Sequence, residues 1–328
     1  MSKIRVGMIG CGGNARGHGR RLAEIEEAEI VALADVSDNS LSAYKESVPG
    51  TKDLPTFKNY KEMLDSVEMD AVEISTPHTL HFEQIIASLD KGLHVLTEKP
   101  MVCTVKHAKA VVEKAEETGK HVMISYQRHF SPVHVYCHDV IRSGEIGTPH
   151  FISTHQSQNW LPATKRWRGD PELSGGGQLN DSGSHLLDIL LWITGLRTEE
   201  VFAYMDNRGS KVDVLSAISL KFEGGALGNI SIVGDSIGSM HEDLSIWCSK
   251  GTLFIKEGRL FRDDLEKKFR EVPREEMPPG NNPDRAFIDL ILGKAENRVP
   301  PECGLRVIEL TEAAWKSAEI GKPVKVED

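Results

Sequence analysis

The chain has 328 residues, 39% hydrophobic and 27% charged, with a formal net charge of −10. That composition builds a globular core long enough for two domains and excludes bulk disorder; the acidic balance argues against nucleic acid as the main partner, and no apolar run approaches a membrane span. Five cysteines, Cys11, Cys103, Cys137, Cys248 and Cys303, form no C-x-x-C pair, which points away from a disulfide framework or zinc ribbon and toward a reducing compartment.

Residues 3–9 read as a short buried strand entered with no secretory leader, so a cytoplasmic protein is expected. The strand runs into Gly10-Cys11-Gly12-Gly13-Asn14-Ala15, which fits G-x-G-x-x-A, and a helix follows over roughly 14–26. In a dinucleotide-binding turn Gly10 makes the tight bend, Gly12 lets the backbone approach a pyrophosphate and Ala15 lets helix and strand pack closely. The helix N-terminus then offers unpaired N–H groups and a positive dipole end. A second apolar strand, 29–34, ends on Asp35, about twenty residues past the glycines, where a carboxylate grips a ribose diol. That carboxylate repels a 2′-phosphate, and no Lys or Arg occurs from Val36 to Ala43 to offset it. NAD is therefore favoured over NADP.

Strand and helix keep alternating. Short helices are expected over 41–48 and 59–66, with a brief extended piece at 55–57. A strand over 70–75 ends at Thr76-Pro77-His78, and a helix over 81–91 is closed by Gly92. The strand 93–96 delivers Glu98-Lys99-Pro100. A helix over 106–118 and a strand over 121–125 lead to Gln127-Arg128. This is the pattern of a doubly wound parallel sheet, in which ligands bind outside the carboxyl ends of the strands. The ends carrying Gly10, Asp35, His78, Lys99 and Gln127 are thus expected on one edge.

The pattern changes after about residue 126, giving a dinucleotide-binding domain over 1–126 and a second domain over 127–328. A helix over 134–142 and an extended piece over 149–155 precede a loop with Trp160, Trp167, Arg168 and Asp170. Three glycines, 175–177, lead to Asp181 and a helix through Trp192. Strands dominate from Val201, with hairpin turns at Glu223-Gly224-Gly225 and Ser249-Lys250-Gly251, so a large, mainly antiparallel open sheet is expected. Two helices, 283–292 and 304–319, finish the chain.

Three stretches carry the chemistry: Ser75-Thr76-Pro77-His78 with His81; Thr97-Glu98-Lys99-Pro100; and Gly175 to His185 with Asp188. Together with the glycine turn they resemble the Gfo/Idh/MocA oxidoreductases, the family of glucose–fructose oxidoreductase and inositol dehydrogenase, over nearly the whole chain. The resemblance implies an α/β fold: an N-terminal Rossmann domain and a C-terminal α+β domain. It implies a nicotinamide-dependent dehydrogenase acting on a sugar, cyclitol or related polyol. Its catalytic lysine, aspartate and proton-transferring histidine fall on Lys99, Asp181 and His185. Cofactor contacts fall on Gly10, Gly12, Gly13, Asn14, Ala15, Asp35, Thr76, Pro77, His78, His81, Glu98, Lys99 and Gln127. The family commonly has asparagine at the position of His78. Substrate contacts are expected from Lys99, Arg128, Trp167, Arg168, Asp181 and His185, and no resident metal is expected.

The residues agree with that chemistry. Oxidising a secondary alcohol removes a hydride, which NAD accepts, and a proton, which a base near neutral pKa such as His185 accepts. Lys99 stabilises developing alkoxide charge. With a helix begun by Asp181, that residue and His185 share one side. Other readings stand beside this one. Asp181 also reads as an N-cap, His185 as a core histidine, Asp181, His185 and Asp188 as metal ligands, His81 as helix-end packing, and Arg128 as an interdomain ion pair, the catalytic reading being preferred for Asp181 and His185. Trp167 and Arg168 suit stacking on a sugar ring and binding an anion. NAD-dependent glycoside hydrolysis and a non-catalytic sugar or NAD sensor are the alternative functions. A cis Lys99–Pro100 bond is expected. So is a homodimer or homotetramer, joined through strands bearing Ile218, Leu220, Phe222, Ile230 and Ile232.

Overall fold

The computed structural model describes residues 3–265 and 268–326. The chain divides into two compact units. One comprises Met1–Val102, Lys106–Gln127 and Asn281–Gly304; the other comprises Cys103–Val105, Arg128–Gly280 and Leu305–Asp328. Residues 281–304, placed by the sequence in the second segment, thus return to the first unit. They are tied there by polar contacts. Arg285 pairs with Glu27 at 2.7 Å, Asn297 Nδ2 donates to the Val122 carbonyl at 2.8 Å and Ile124 N donates to Val299 O at 3.1 Å.

The first unit is built on strands β1 (Ile4–Ile9), β2 (Ala28–Ala34), β3 (Thr56–Phe57), β4 (Ala71–Ile74), β5 (His94–Thr97) and β6 (Val122–Ile124), in the order β3-β2-β1-β4-β5-β6. Every pairing is parallel. Helices α1 (Gly13–Ala23), α2 (Asp38–Ser47), α3 (Tyr60–Ser66), α4 (His81–Asp90) and α5 (Val105–Thr118) alternate with them. The central strands are apolar runs because both sheet faces are covered. In β4 all four residues are buried, Glu73 included. The chain order reverses between β1 and β4, the switch point at which such sheets bind ligands. Gly10 lies there with φ +94°, and a Cβ on it would sit 2.6 Å from the Ser75 carbonyl oxygen. No other residue type fits so close a strand approach.

In the second unit helices α6 (Pro132–Arg142), α7 (Pro171–Ser174) and α8 (Gly183–Thr194) accompany β7 (Pro149–Ser157), β8 (Thr198–Asp206), β9 (Leu215–Phe222), β10 (Leu227–Val233), β11 (His241–Cys248), β12 (Gly251–Lys256), β13 (Arg259–Asp264), β14 (Arg270–Glu271) and β15 (Val324–Lys325). The sheet order is β14-β13-β12-β11-β7-β10-β9-β8-β15. β7 and β10 run parallel, and the other pairings are antiparallel. α9 (Pro283–Ile291) and α10 (Pro301–Ile320) are the last two helices.

One face of this sheet is covered within the unit. Ile218, Leu220 and Phe222 on β9, and Ile230 and Ile232 on β10, are at most 4% exposed. This corrects the expectation that they form a partner surface: their period-2 pattern marks the chain's own core face. The opposite face carries linked aromatic rings, Phe151 against Trp247 at 5.7 Å and Trp247 against Phe254 at 5.9 Å. Among the described residues no helix is long and apolar enough to cross a membrane.

Candidate active site

Because the first sheet is wholly parallel, its strand ends deliver their residues to one edge. At the end of β1 the turn leads into α1, whose N-cap, Gly12, offers no side-chain partner to the first-turn N–H groups. A Cβ at Gly12 or Gly13 would meet nothing within 4 Å. Open space before unclaimed N–H donors at a helix N-terminus suits a pyrophosphate. Ala15 is fully buried, as its packing role requires, and Gly13 and Asn14 are exposed. After β2, Asp35 accepts the Cys11 N–H on Oδ2 and the Ser37 N–H on Oδ1, both at 2.8 Å. Each oxygen keeps a second lone pair for a ribose hydroxyl. The fold also brings in a cation that the window after Asp35 did not contain: Lys58 Nζ lies 3.2 Å from Val36 O. Asp38 matches its charge at 2.5 Å.

Beyond β4, Thr76 Oγ1 donates to Gln84 Oε1 at 2.6 Å and His78 is buried. His81 is removed from the set of direct cofactor contacts. It is fully buried, with Nδ1 2.8 Å from Pro100 O and Nε2 3.0 Å from Thr76 O. Burial lowers its pKa, so the ring acts as a neutral clamp between the loops after β4 and β5. β5 delivers Glu98 and Lys99, with Lys99 8% exposed and its N–H donated to Glu98 Oε2 at 3.2 Å. The Lys99–Pro100 bond is cis, as expected. Gln127 is exposed just past β6.

Sequence reasoning missed what stands behind Glu98. His18 on α1 lies 3.2 Å from Glu98 Oε1 and 2.7 Å from Asp284 Oδ1. The available signal was Glu73, an ionisable residue inside the apolar run of β4.

In the second unit the glycine run is held by Asp213, also missed. Its carboxylate accepts the N–H groups of Gly177 at 3.1 Å and Leu179 at 2.9 Å, and Trp315 Nε1–H at 3.0 Å. Burial raises its pKa against these bonds. A Cβ on Gly177 would fall 2.1 Å from Asp213 O, which is why glycine stands there. The run delivers Asp181, whose Oδ2 accepts Trp160 Nε1–H at 2.8 Å and Arg168 Nε–H at 2.7 Å.

Several expectations change here. α8 begins at Gly183 with Ser182 at its N-cap, so Asp181 is not the cap and the shared-face argument for Asp181 and His185 does not apply. Trp160 belongs to a core cluster with Val212 and Val214. Asp170 caps α7 through the Glu172 N–H at 3.2 Å. Arg168 stacks on Trp167 at 4.4 Å while holding Asp181; that bond engages the guanidinium expected to bind substrate. Asp188 accepts from His129 Nε2 at 2.8 Å. Arg128 pairs with Glu242 at 2.5 Å, a partner in its own unit, so the interdomain reading of this arginine is also corrected. His185 is half-buried in the first turn of α8.

Gln156 of β7, whose Nε2 lies 3.5 Å from the Ser182 carbonyl, and Gln158 just past the strand's end support this turn. Gln158 Nε2 donates to Ser182 Oγ at 2.5 Å, and Gln156 Nε2 donates to Glu242 Oε2 at 3.0 Å. Arg128 Nη1 and Gln156 Oε1 are buried without a hydrogen-bond partner among the described residues. These two polar atoms leave capacity for a polyhydroxylated ligand.

Residues 4–126 match the model of an oxidoreductase family with an NAD-binding Rossmann fold, and residues 134–254 match the Gfo/Idh/MocA C-terminal domain. The chain is 31% identical over 195 residues to the rhizopine catabolism protein MocA of Rhizobium meliloti, a match covering 60% of this chain and 58% of that protein. It is 26% identical to the myo-inositol 2-dehydrogenase of Thermotoga maritima, across 99% of both chains. Its fold is that of the WlbA dehydrogenase of Bordetella pertussis, solved with NADH and UDP-GlcNAcA, with a TM-score of 0.86, 24% identity and 99% of both chains covered.

Proposed function

The chain belongs to the Gfo/Idh/MocA oxidoreductase family, and from that membership we propose an NAD-dependent dehydrogenase moving a hydride between nicotinamide and a secondary alcohol of a sugar, cyclitol or sugar derivative. The observation that carries the reading is the strand-end set of the first unit: the glycine turn, Asp35 and Glu98–Lys99 on one edge of one parallel sheet. The bound cofactor supplies the hydride acceptor. The turn from Gly10 to Ala15 holds its pyrophosphate and Asp35 its ribose diol. Thr76, Pro77, His78, Glu98, Lys99 and Gln127 contact the rest.

Lys99 hydrogen-bonds the reacting oxygen and stabilises negative charge as it develops there. His185 takes the proton. Asp181, oriented by Trp160 and Arg168, binds a substrate hydroxyl or steadies the imidazolium of His185. Arg128, Trp167 and Arg168 shape the substrate side. The myo-inositol 2-dehydrogenase relative supports a cyclitol or sugar. The Asp35 carboxylate, with Lys58 neutralised by Asp38, supports NAD over NADP.

The test is a panel of inositols, aldoses, sugar acids and nucleotide sugars offered to the purified protein with NAD and NADP separately. NADH formation with a polyol is expected. Glycosidic cleavage without NADH release points instead to the hydrolytic alternative, and a protein that binds no pyridine nucleotide ends the reading. The aromatic outer face of the nine-stranded sheet supports self-association as a homodimer or homotetramer; a monomeric mass by light scattering at micromolar concentration contradicts it.

A further inference from the structure

The first unit buries an ionic cluster that the chemistry above leaves unexplained. His18 points Nδ1 at Asp284 Oδ1, 2.7 Å away, and Nε2 at Glu98 Oε1, 3.2 Å away, with Glu73 Oε1 at 3.8 Å. Ser125 Oγ is 3.4 Å from the same Nε2. Arg21 Nε donates to the other oxygen of Asp284, and Ser75 Oγ donates to Glu73 Oε1. Glu73 Oε2 has no hydrogen-bond partner among the described residues. Tyr44 from α2 and Cys11 from the glycine turn also face this charge. His18 is 2% exposed, and Glu73 and Asp284 are 0% exposed.

Charge must balance in so dry a place. Both ring nitrogens of His18 face carboxylates, which only accept, so the ring is an imidazolium. Burial opposes that charge, but Glu73 and Asp284 hold the His18 pKa well above its ordinary value. Arg21 and His18 then offset Asp284 and Glu98, leaving Glu73 as the third carboxyl. Burial pushes Glu73 up to about 7 despite the nearby His18, so below that pH it holds a proton and the cluster is neutral.

We propose that His18 is a positioning residue for the Glu98–Lys99 pair, and that a proton on Glu73 keeps it in that role. With Glu73 neutral, the Nε2–H of His18 is donated to Glu98 Oε1, while Glu98 Oε2 receives the Lys99 N–H. When Glu73 releases its proton to solvent, a carboxylate appears 3.8 Å from the same Nε2–H and competes for it. Glu98 loses part of its hold, and the unit that receives the cofactor's pyrophosphate gains a buried negative charge. Cofactor affinity then falls as pH rises through the titration of Glu73. The inference rests on the reading of the β5 end as part of an NAD site.

The test is titration of the purified full-length protein with NADH, followed by tryptophan fluorescence, from about pH 5.5 to about pH 9. The wild type is expected to lose affinity several-fold with an inflection near pH 7. In Glu73→Gln, which keeps the shape and removes the proton exchange, the inflection disappears and affinity stays at the low-pH level. In His18→Gln affinity is weak throughout and the inflection is lost. Glu73→Gln decides the matter alone if His18→Gln does not fold. NADH binding with the same inflection in wild type and Glu73→Gln overturns the positioning role while leaving the NAD site intact. An absence of NADH binding at every pH overturns both.

Discussion

In the first unit the residues assigned to cofactor and catalysis lie within a few positions of a strand's carboxyl end, so backbone topology alone brings them to one edge. In the second, Asp181 and His185 follow a glycine run that belongs to no strand. Side chains far apart in sequence hold the approach to them: Asp213 and Trp315 on the glycines, Trp160 and Arg168 on Asp181, Gln158 on Ser182. Strand-end placement is insensitive to a change in one neighbouring side chain; clamped placement depends on each clamp. The first unit should therefore lose chemistry without losing structure, and the second should lose both together.

The largest expected effect follows from the first half of that contrast. Lys99→Ala removes the group proposed to stabilise developing alkoxide charge, so kcat should fall about 10³-fold, or about 4 kcal/mol of barrier. β5 ends at Thr97 and its ladder is untouched by the change, so the melting temperature should change little, while NADH affinity should weaken with the loss of the proposed cofactor contact. A Lys99→Ala protein that keeps its rate removes the lysine from the mechanism. One that unfolds shows that the strand end needs its side chain after all.

The first unit also has a clamp of its own, and pH separates it from the strand ends. Glu73 titrates near 7 in the folded chain against an ordinary 4.5. Folded protein therefore binds more protons than unfolded between those values. Its stabilising contribution is complete below about pH 4.5 and is lost as pH rises through about 7, an effect of about 3 kcal/mol. His18, raised above its ordinary 6.5, acts in the same direction: its contribution is complete below about 6.5 and disappears as pH climbs through its folded value. Urea unfolding of the wild type should show stability falling as pH rises from about 4.5 through about 7, and Glu73→Gln should flatten that part of the curve. An unchanged slope in that variant places the titration elsewhere.

In the second unit Asp213→Asn keeps one acceptor oxygen but turns an amide N–H₂ toward another donor. Retaining the bond to Trp315 and Gly177 sets the amide donor against Leu179 N–H, at a cost of about 2 kcal/mol. Loss of stability and a raised KM should appear together, because the glycine run it loosens leads to Asp181. A stability loss with wild-type kinetics breaks the link between clamp and site.

How far the sequence could be read follows the same division. The parallel sheet was legible from alternating apolar runs, and so was the placement of Gly10, Asp35 and Lys99 just past strand ends. Both hairpins were legible from Glu223-Gly224-Gly225 and Ser249-Lys250-Gly251. The partners of Asp181 were not, because Trp160 and Arg168 carry no period and look like any loop. Asp213 is 36 residues from the Gly177 it holds, and local pattern does not reach that far. The return of residues 281–304 includes Asp284 meeting His18, a pairing 266 residues apart in the chain. The partner surface, expected on Ile218, Leu220, Phe222, Ile230 and Ile232, was misjudged for a different reason. Alternation gives two faces but not which one the rest of the chain will cover.

Trp160→Phe is the mildest test of the clamped half. The ring stays in its pocket beside Val212 and Val214, so packing is nearly conserved and only the Nε1–H donated to Asp181 is lost. Arg168 still holds the same oxygen, so the carboxylate is not orphaned. The expected cost is about 1 kcal/mol, seen as a drop of about fivefold in kcat/KM with less than half that energy appearing in stability. Coupling decides the interpretation. If Trp160 and Arg168 act together on Asp181, Trp160→Phe combined with Arg168→Gln should cost more than the sum of the singles, since both N–H donors to the same Oδ2 of a buried carboxylate are then removed. Strict additivity would mean that Asp181 is placed by the backbone, as Lys99 is, and that the two halves are built alike.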